Sequence, residues 1–288
     1  MELFQYPYMQ RALIGALVIG LAAPALGIYL VQRRLALIGD GVGHVALTGV
    51  GAGLLLNRSP VLVAVLVATL GAVTIELVRA RGRTSGDLAL ALLFYGGIAG
   101  GVMLVGLSDA TSTNLNAYLF GSLTTISPQD LTTIAVLGAV ILVTMLALRP
   151  ALFAVCHDEE YAKVSGLPVR TLNLLLAVAT AVTVTIAMRA VGVLLISALM
   201  VVPVATAQQV TRGFRSTMTA AMALGLFAAG AGVWVAATAD TAPGASVVLL
   251  AIASFLVVAV AAAAWRVLRR RATPAAAPSP EPHEVVLR

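Results

Sequence analysis

In the stretch LALIGDGVGHVALTGVG, residues 35–51, an aspartate and a histidine stand four positions apart in an otherwise apolar run. On a helix, positions i and i+4 share a face, so Asp40 and His44 would offer a carboxylate oxygen and an imidazole nitrogen to one point. That donor pair suits zinc, manganese or ferrous iron. Gly39, Gly41 and Gly43 leave backbone carbonyls accessible beside it. Ionisable groups at membrane depth are costly and tend to line a pathway. The spacing is also met by a structural role, in which Asp40 caps the N-terminus of a helix and His44 fills a polar gap.

A second stretch, EYAKVSG, runs from Glu160 to Gly166 and fits the pattern Glu-x-Ala-x-x-x-Gly. A short helix with this pattern could dock on a separate protein. Ala162 would permit close contact, and Gly166 would let the chain turn sharply at the helix end. Asp158, Glu159 and Glu160 suit the positive N-terminal end of such a helix. An ordinary amphipathic loop helix with a glycine cap has the same residues. Other polar residues carry less. Glu76 snorkels or pairs with Arg79, and Asp87, after Ser85 and Gly86, caps the next helix. Cys156 and His157 are adjacent soft ligands without further partners. Asp109, Asn114 and Asn116 fall on a polar loop, and His283 on a solvated tail.

These groups need elements to position them, and composition says which kind. Of 288 residues, 60% are hydrophobic and 10% charged, against about 45–50% and 25% in a soluble domain. A bilayer can cover that much apolar surface, whereas a single soluble core cannot, so the chain reads as a multi-pass membrane protein. A spanning helix needs about 20 apolar residues. The apolar runs place spans at 10–32, 42–56, 60–78, 88–107, 131–148, 171–188, 191–207, 217–238 and 245–267, with the short, glycine-rich second run broken or half-buried. The first run lacks a signal-peptide cleavage site and is read as a retained span. The fold class is therefore all-α, a polytopic membrane helical bundle of eight or nine transmembrane helices. The transmembrane domain covers residues 1–271, and the Pro/Ala-rich segment 272–288 is a disordered cytoplasmic tail. Pro24 and Pro203 lie within spans and kink them.

The net charge of +6 comes from arginines that punctuate the apolar runs, which marks topology and not a nucleic-acid surface. Arg33 and Arg34, Arg79 to Arg83, Arg149 to Arg170, Arg212 and Arg215, and Arg266 to Arg271 fall in alternate loops. By the positive-inside rule the N-terminus is outside and the C-terminus cytoplasmic, and nine crossings keep the pattern consistent. The only cysteine, Cys156, excludes an internal disulfide. The only lysine, Lys163, precedes Val164, so no P-loop Gly-Lys-Ser/Thr is present.

Four stretches together resemble the permease subunit of the zinc, manganese and iron ABC importer family. RRLALIGDGVGHVALTGV is similar to its Arg-Arg-x-x-x-x-Gly-Asp-x-x-x-His segment. YLFGSLTTIS resembles its external Leu-Phe-Gly stretch, and DEEYAKVSGL its coupling loop. VGVLLISALMVVPVATAQ resembles its late Gly-x-Leu-Leu helix. They run in family order from residue 33 to 208. The resemblance implies an ABC importer permease fold in a bacterial cytoplasmic membrane and a homodimer. It implies cytoplasmic ABC ATPase subunits that hydrolyse ATP on a separate chain, and an extracytoplasmic metal-binding protein. No cofactor would be held permanently, and the cargo would be Zn2+ or Mn2+, with Fe2+ a further candidate. Asp40 and His44 match the metal-path residues, and Glu160, Ala162 and Gly166 match the ATPase-coupling helix. One departure stands out: Gly41-Val42-Gly43 replaces the family's Ala-Leu-Ser, removing a hydroxyl near the metal ligands. Two other classes fit the apolar pattern: a vitamin B12 or siderophore type of ABC permease, and an ion-coupled carrier that needs no ATPase.

Overall fold

In a computed structural model, residues 6–80, 86–108, 117–122 and 126–272 are described. The helices are α1 (Pro7–Gln32), α2 (Ile38–Leu55), α3 (Pro60–Ala80), α4 (Gly86–Leu107), α5 (Pro128–Ala147), α6 (Arg149–His157), α7 (Glu159–Val164), α8 (Val169–Ala187), α9 (Val193–Gln208), α10 (Phe214–Ala239) and α11 (Pro243–Ala272). The described residues form no strand. Among the described residues eight helices are long and apolar enough to cross a membrane, and α9 is a shorter apolar helix.

Burial sorts the helices into two layers. In the most apolar windows of α1, α2 and α8, 72%, 72% and 67% of residues are buried, against 28%, 17%, 22% and 17% in α3, α4, α5 and α11. The inner layer also holds α9, through Val193, Ile196, Leu199, Met200 and Val204. The outer helices expose leucines and valines, such as Leu62, Leu66 and Leu70 on α3 and Leu249, Leu256 and Val260 on α11, as lipid-facing surfaces should. Buried threonines of α8 need partners inside the helix. Thr180, Thr183 and Thr185 each donate to the carbonyl four residues back at 2.7 Å.

Two expectations shift. The second run is neither broken nor confined to 42–56. It is one continuous 18-residue helix that starts at Ile38. The short helix is α9, whose 16 residues rise about 24 Å, less than the roughly 30 Å hydrocarbon core. Its deficit is made up by the buried turn before it, where Met188, Ala190 and Val191 are each at most 5% exposed. Irregular backbone at this depth is tolerated only when protein covers it. Here the cover is the segment around Tyr118 to Gly121. Gly121 and Gly192 both have positive φ, +78° and +92°, and their backbones meet face to face. The Leu-Phe-Gly stretch and the Gly-x-Leu-Leu helix, 70 residues apart in sequence, are thus one joint.

Pro24 and Pro203 lie inside α1 and α9, which run through them as helix. Glycines admit close approach where helices cross. A Cβ on Gly20 would meet Gly225, and one on Gly27 would overlap the Met200 carbonyl. Asp109, Asn114, Asn116, His283, the side chain of Asp87 and the tail beyond residue 272 lie outside the described residues.

Gly192→Val should destabilise the protein by about 1–3 kcal/mol or more, because φ +92° with ψ 149° is a backbone region kept for glycine and a side chain there also strikes Leu119 and Phe120. The melting temperature in detergent should fall. Gly106→Ala, with nothing within 4 Å of the new methyl, should leave it unchanged.

Candidate functional site

Helix α2 carries the Asp/His pair, and its neighbours decide what the pair meets. The Cβ positions of Gly39 and Gly43 face Ser197 and Val193 of α9, those of Gly49 and Gly53 face α3, and those of Gly41 and Gly51 face α4. Helix α4 comes closest at Gly97, where an added Cβ would collide with the backbone of His44 and Val45. Thr48 Oγ1 locks this crossing by donating to the Gly97 carbonyl at 2.8 Å. Phe94 lies one turn before Gly97 and so covers the imidazole. The two rings meet edge to face, with centroids 4.4 Å apart. His44 is 7% exposed, and its Nδ1 is buried without a hydrogen-bond partner.

Asp40 is half-buried and does not cap α2. Leu37 is the N-cap, and Asp40 is the third helical residue, where the helix dipole favours a carboxylate. It lines a cavity of about 280 Å³ with Leu37, Leu90, Ala91, Phe94 and Tyr95. Apart from the Tyr95 hydroxyl, the other lining side chains are apolar. The cavity opens past Leu37 and Tyr95, which are 64% and 70% exposed. On the far side of the turn, against Gly39, lies Ser197 Oγ, buried and also without a partner. The stretch between Asp40 and His44 lacks a hydroxyl, and α9 brings one to that level of the helix from outside it. A buried polar atom left unpaired costs about 1–3 kcal/mol, so His44 Nδ1 calls for an explanation.

What the pair can do is bind a cation. A carboxylate oxygen and a free imidazole nitrogen are two ligands for a borderline divalent metal. Among the described residues no group of three or more His, Cys, Asp and Glu side chains comes together. A bound ion would therefore keep positions open for water or other donors, as suits a transported ion more than a structural one.

The loop from α5 to α8 folds as its residues foretell. Asp158 caps α7 by accepting the Tyr161 N–H at 2.9 Å. The helix ends in a Schellman arrangement: Leu167 N–H donates to Ala162 O, Gly166 N–H donates to Lys163 O, and Gly166 has φ +77°. Ala162 is fully buried against the bundle, so it faces inward. The outward face holds Glu160, Tyr161 and Val164, with Tyr161 66% and Val164 89% exposed.

Sequence reasoning missed the ion pairs that hold the ends of the bundle. Arg33 donates to Asn173 Oδ1 of α8 at 2.8 Å and pairs with Glu159 of α7 at 3.6 Å. Burial, aided by the Arg79 charge, lowers the pKa of this guanidinium. At the other end Arg189 pairs with Asp130 at 3.2 Å and stacks over Tyr118. In the sequence Arg33 stood out as a loop-end marker and as part of the Arg-Arg-x-x-x-x-Gly-Asp stretch, and neither reading named its partners. Glu76 and Arg79 pair as expected, through contacts of 3.0 and 3.1 Å. Cys156 and His157 do not form a metal site: His157 stacks on Phe153, and burial pushes the Cys156 thiol up to about 11, with Arg33 pulling the other way. A thiol so disfavoured as thiolate is a poor ligand at neutral pH.

Comparison with known proteins places this geometry among transporters. A family model described as the ABC 3 transport family matches residues 5–262. The manganese transport system membrane protein MntC of Halalkalibacterium halodurans is 31% identical over 251 residues, covering 87% of this chain and 86% of the relative. The high-affinity zinc uptake system membrane protein ZnuB of Haemophilus influenzae is 30% identical over 238 residues, covering 83% of this chain and 91% of the relative. The solved structure of PsaBC from Streptococcus pneumoniae in complex with Fab superposes with a TM-score of 0.81 at 29% identity, covering 89% of this chain and 92% of that one.

Alkylation of Cys156 should climb with pH up to about 11 and not level off near 9, the usual thiol value. A labelling series in detergent checks this, with denatured protein as the unshifted reference.

Proposed function

We infer, because the chain belongs to the ABC 3 transport family, that it is the membrane permease of an ATP-binding-cassette importer and carries a divalent metal cation into the cell. One observation supports the site: Asp40 and His44 sit one turn apart on a sheathed helix, the imidazole nitrogen unpaired and the carboxylate at the mouth of a cavity. Manganese and zinc are the cargoes named for the relatives MntC and ZnuB, and either ion accepts this donor pair.

The chain performs no covalent chemistry. Its work is to replace lost water around the ion with protein ligands and then to weaken that site. Neutral His44 gives a nitrogen lone pair, and Asp40 gives charge. Phe94 holds the imidazole plane and keeps water from its face. Alternating access then requires two bundle states with different affinity for the ion.

In this reading the end carrying Arg33, Arg79, Lys163 and Arg170 is cytoplasmic, and the N-terminus lies outside. ATP hydrolysis belongs to separate ATPase subunits that seat on α7. Tyr161 and Val164 offer them apolar contact, Glu160 a charge at the rim, Ala162 lets α7 lie flat on the bundle, and Gly166 sets the turn back into α8. An extracytoplasmic metal-binding protein delivers the ion at the opposite end, and two copies of the chain form the permease.

Asp40→Asn and His44→Ala should each cut metal uptake by more than about tenfold, the loss that even a supporting residue of a metal site brings. Uptake of radioactive Zn2+ and Mn2+ into vesicles holding the whole complex and ATP checks this, with melting temperature as the control for folding. Normal uptake by both variants would overturn the site. Gly166→Leu has open space for its side chain but the wrong φ, so it should uncouple ATP turnover from uptake while the protein still folds. Preference for chelated over bare metal, or uptake without ATP, would point to a different carrier.

A further inference from the structure

Three elements meet at one guanidinium. Arg33 is the first residue past α1, and its side chain is 8% exposed. Its bond to Asn173 is short, 2.8 Å, and Asn173 is itself buried in α8. Its pair with Glu159, the first residue of α7, is looser at 3.6 Å. Glu159 is 42% exposed and is shared with Lys163 at 3.3 Å. One contact therefore anchors the guanidinium, and the other is free to be made and broken.

The chain beyond Arg33 turns tightly. Arg34 sits in the left-handed region at φ +58°. Arg34 N–H donates to Val31 O, Leu35 N–H to Leu30 O and Ile38 N–H to Leu35 O, so the turn is tied back to α1 and forward to α2. Asp40 follows within the first turn of α2. A displacement of Arg33 thus passes to the start of the metal-bearing helix with little to absorb it. Beside the pair lies a cavity of about 420 Å³, lined in part by Glu76, Arg79, Glu159, Lys163, Arg170 and Asn173. It gives the Glu159 carboxylate room to leave Arg33 and other cations to meet when it does.

We propose that Arg33 is a positioning residue that couples α7 to α2: the Arg33–Glu159 pair carries movement of the docking helix to the turn that sets Asp40. This rests on the permease reading above. Buried and half-buried pairs contribute little net stability, so their placement matters more than their strength. Arg33 anchors on α8 while gripping α7, a fork that a lysine cannot reproduce.

The test measures ATP hydrolysis and Mn2+ or Zn2+ uptake together, in vesicles holding the permease and its ATPase. Arg33→Gln and Glu159→Gln should keep ATP turnover but lower the ions carried per ATP, within the roughly 5–150-fold span of ordinary coupling between sites. The exchanged pair, Arg33→Glu with Glu159→Arg, should recover part of the ratio. A purely structural role would lower yield and melting temperature and leave the ratio intact. Glu159 is exposed enough that its Gln variant folds, so an unchanged ratio in Glu159→Gln overturns the inference even if Arg33→Gln fails to insert. If the unaltered complex moves metal without ATP, the permease reading falls and takes this inference with it. If it is coupled and the variants match it, only this inference falls.

Discussion

A polar helix must be kept out of lipid, and the architecture is arranged around that need. Helix α2 has the lowest hydropathy among the spans, at 1.2, and carries an aspartate, a histidine and a threonine. Every polar group in hydrocarbon must find its partner inside the protein. Four helices, α3, α4, α8 and α9, therefore press on α2, and its six glycines let their backbones come close on three sides. The sheath is open at Asp40, which lines the cavity. The outer helices α3, α4, α5 and α11 are less buried, and Glu76 of α3 is met by Arg79 on the same helix.

The same constraint explains the bundle's two ends. At one end the short helix α9 leaves irregular backbone below the surface, and the Gly121–Gly192 joint covers it, with Arg189 tying the cover to α5 through Asp130. At the other end Arg33 ties the loop helices to α8. These pairs cost nearly as much desolvation as they return in attraction. Their value is registry: they fix where one element stops relative to another, which apolar helix faces of similar shape do poorly.

In the proposed site the donor set is incomplete. Asp40 in its largely apolar cavity and His44 one turn further along α2 would hold a cation less firmly than a closed tetrahedral cage. A carrier must release what it binds, so an open set of donors is an advantage. In that reading the unpaired Nδ1 of His44 is the cost of keeping a donor free, and the edge contact with Phe94 keeps the imidazole oriented meanwhile.

Much of this was legible in the sequence because it is local. Apolar run length determined the spans, helical spacing put Asp40 and His44 on one face and Glu76 beside Arg79, and Asp158 and Gly166 marked the ends of α7. Each depends on residues within a turn or two of one another. Tertiary structure alone decided which helices lie inside, since the mean hydropathy of α1 and α4 is nearly the same, 2.2 and 2.0, while their burial differs fourfold, 72% against 17%. It decided that Asp40 follows the N-cap, that Phe94 covers His44, that Ala162 turns inward and that Arg33 holds Asn173 and Glu159. The Phe94 and Arg33 contacts join residues 50 to 140 positions apart, and an arginine at a loop end looks the same in sequence whether it meets water or a buried asparagine.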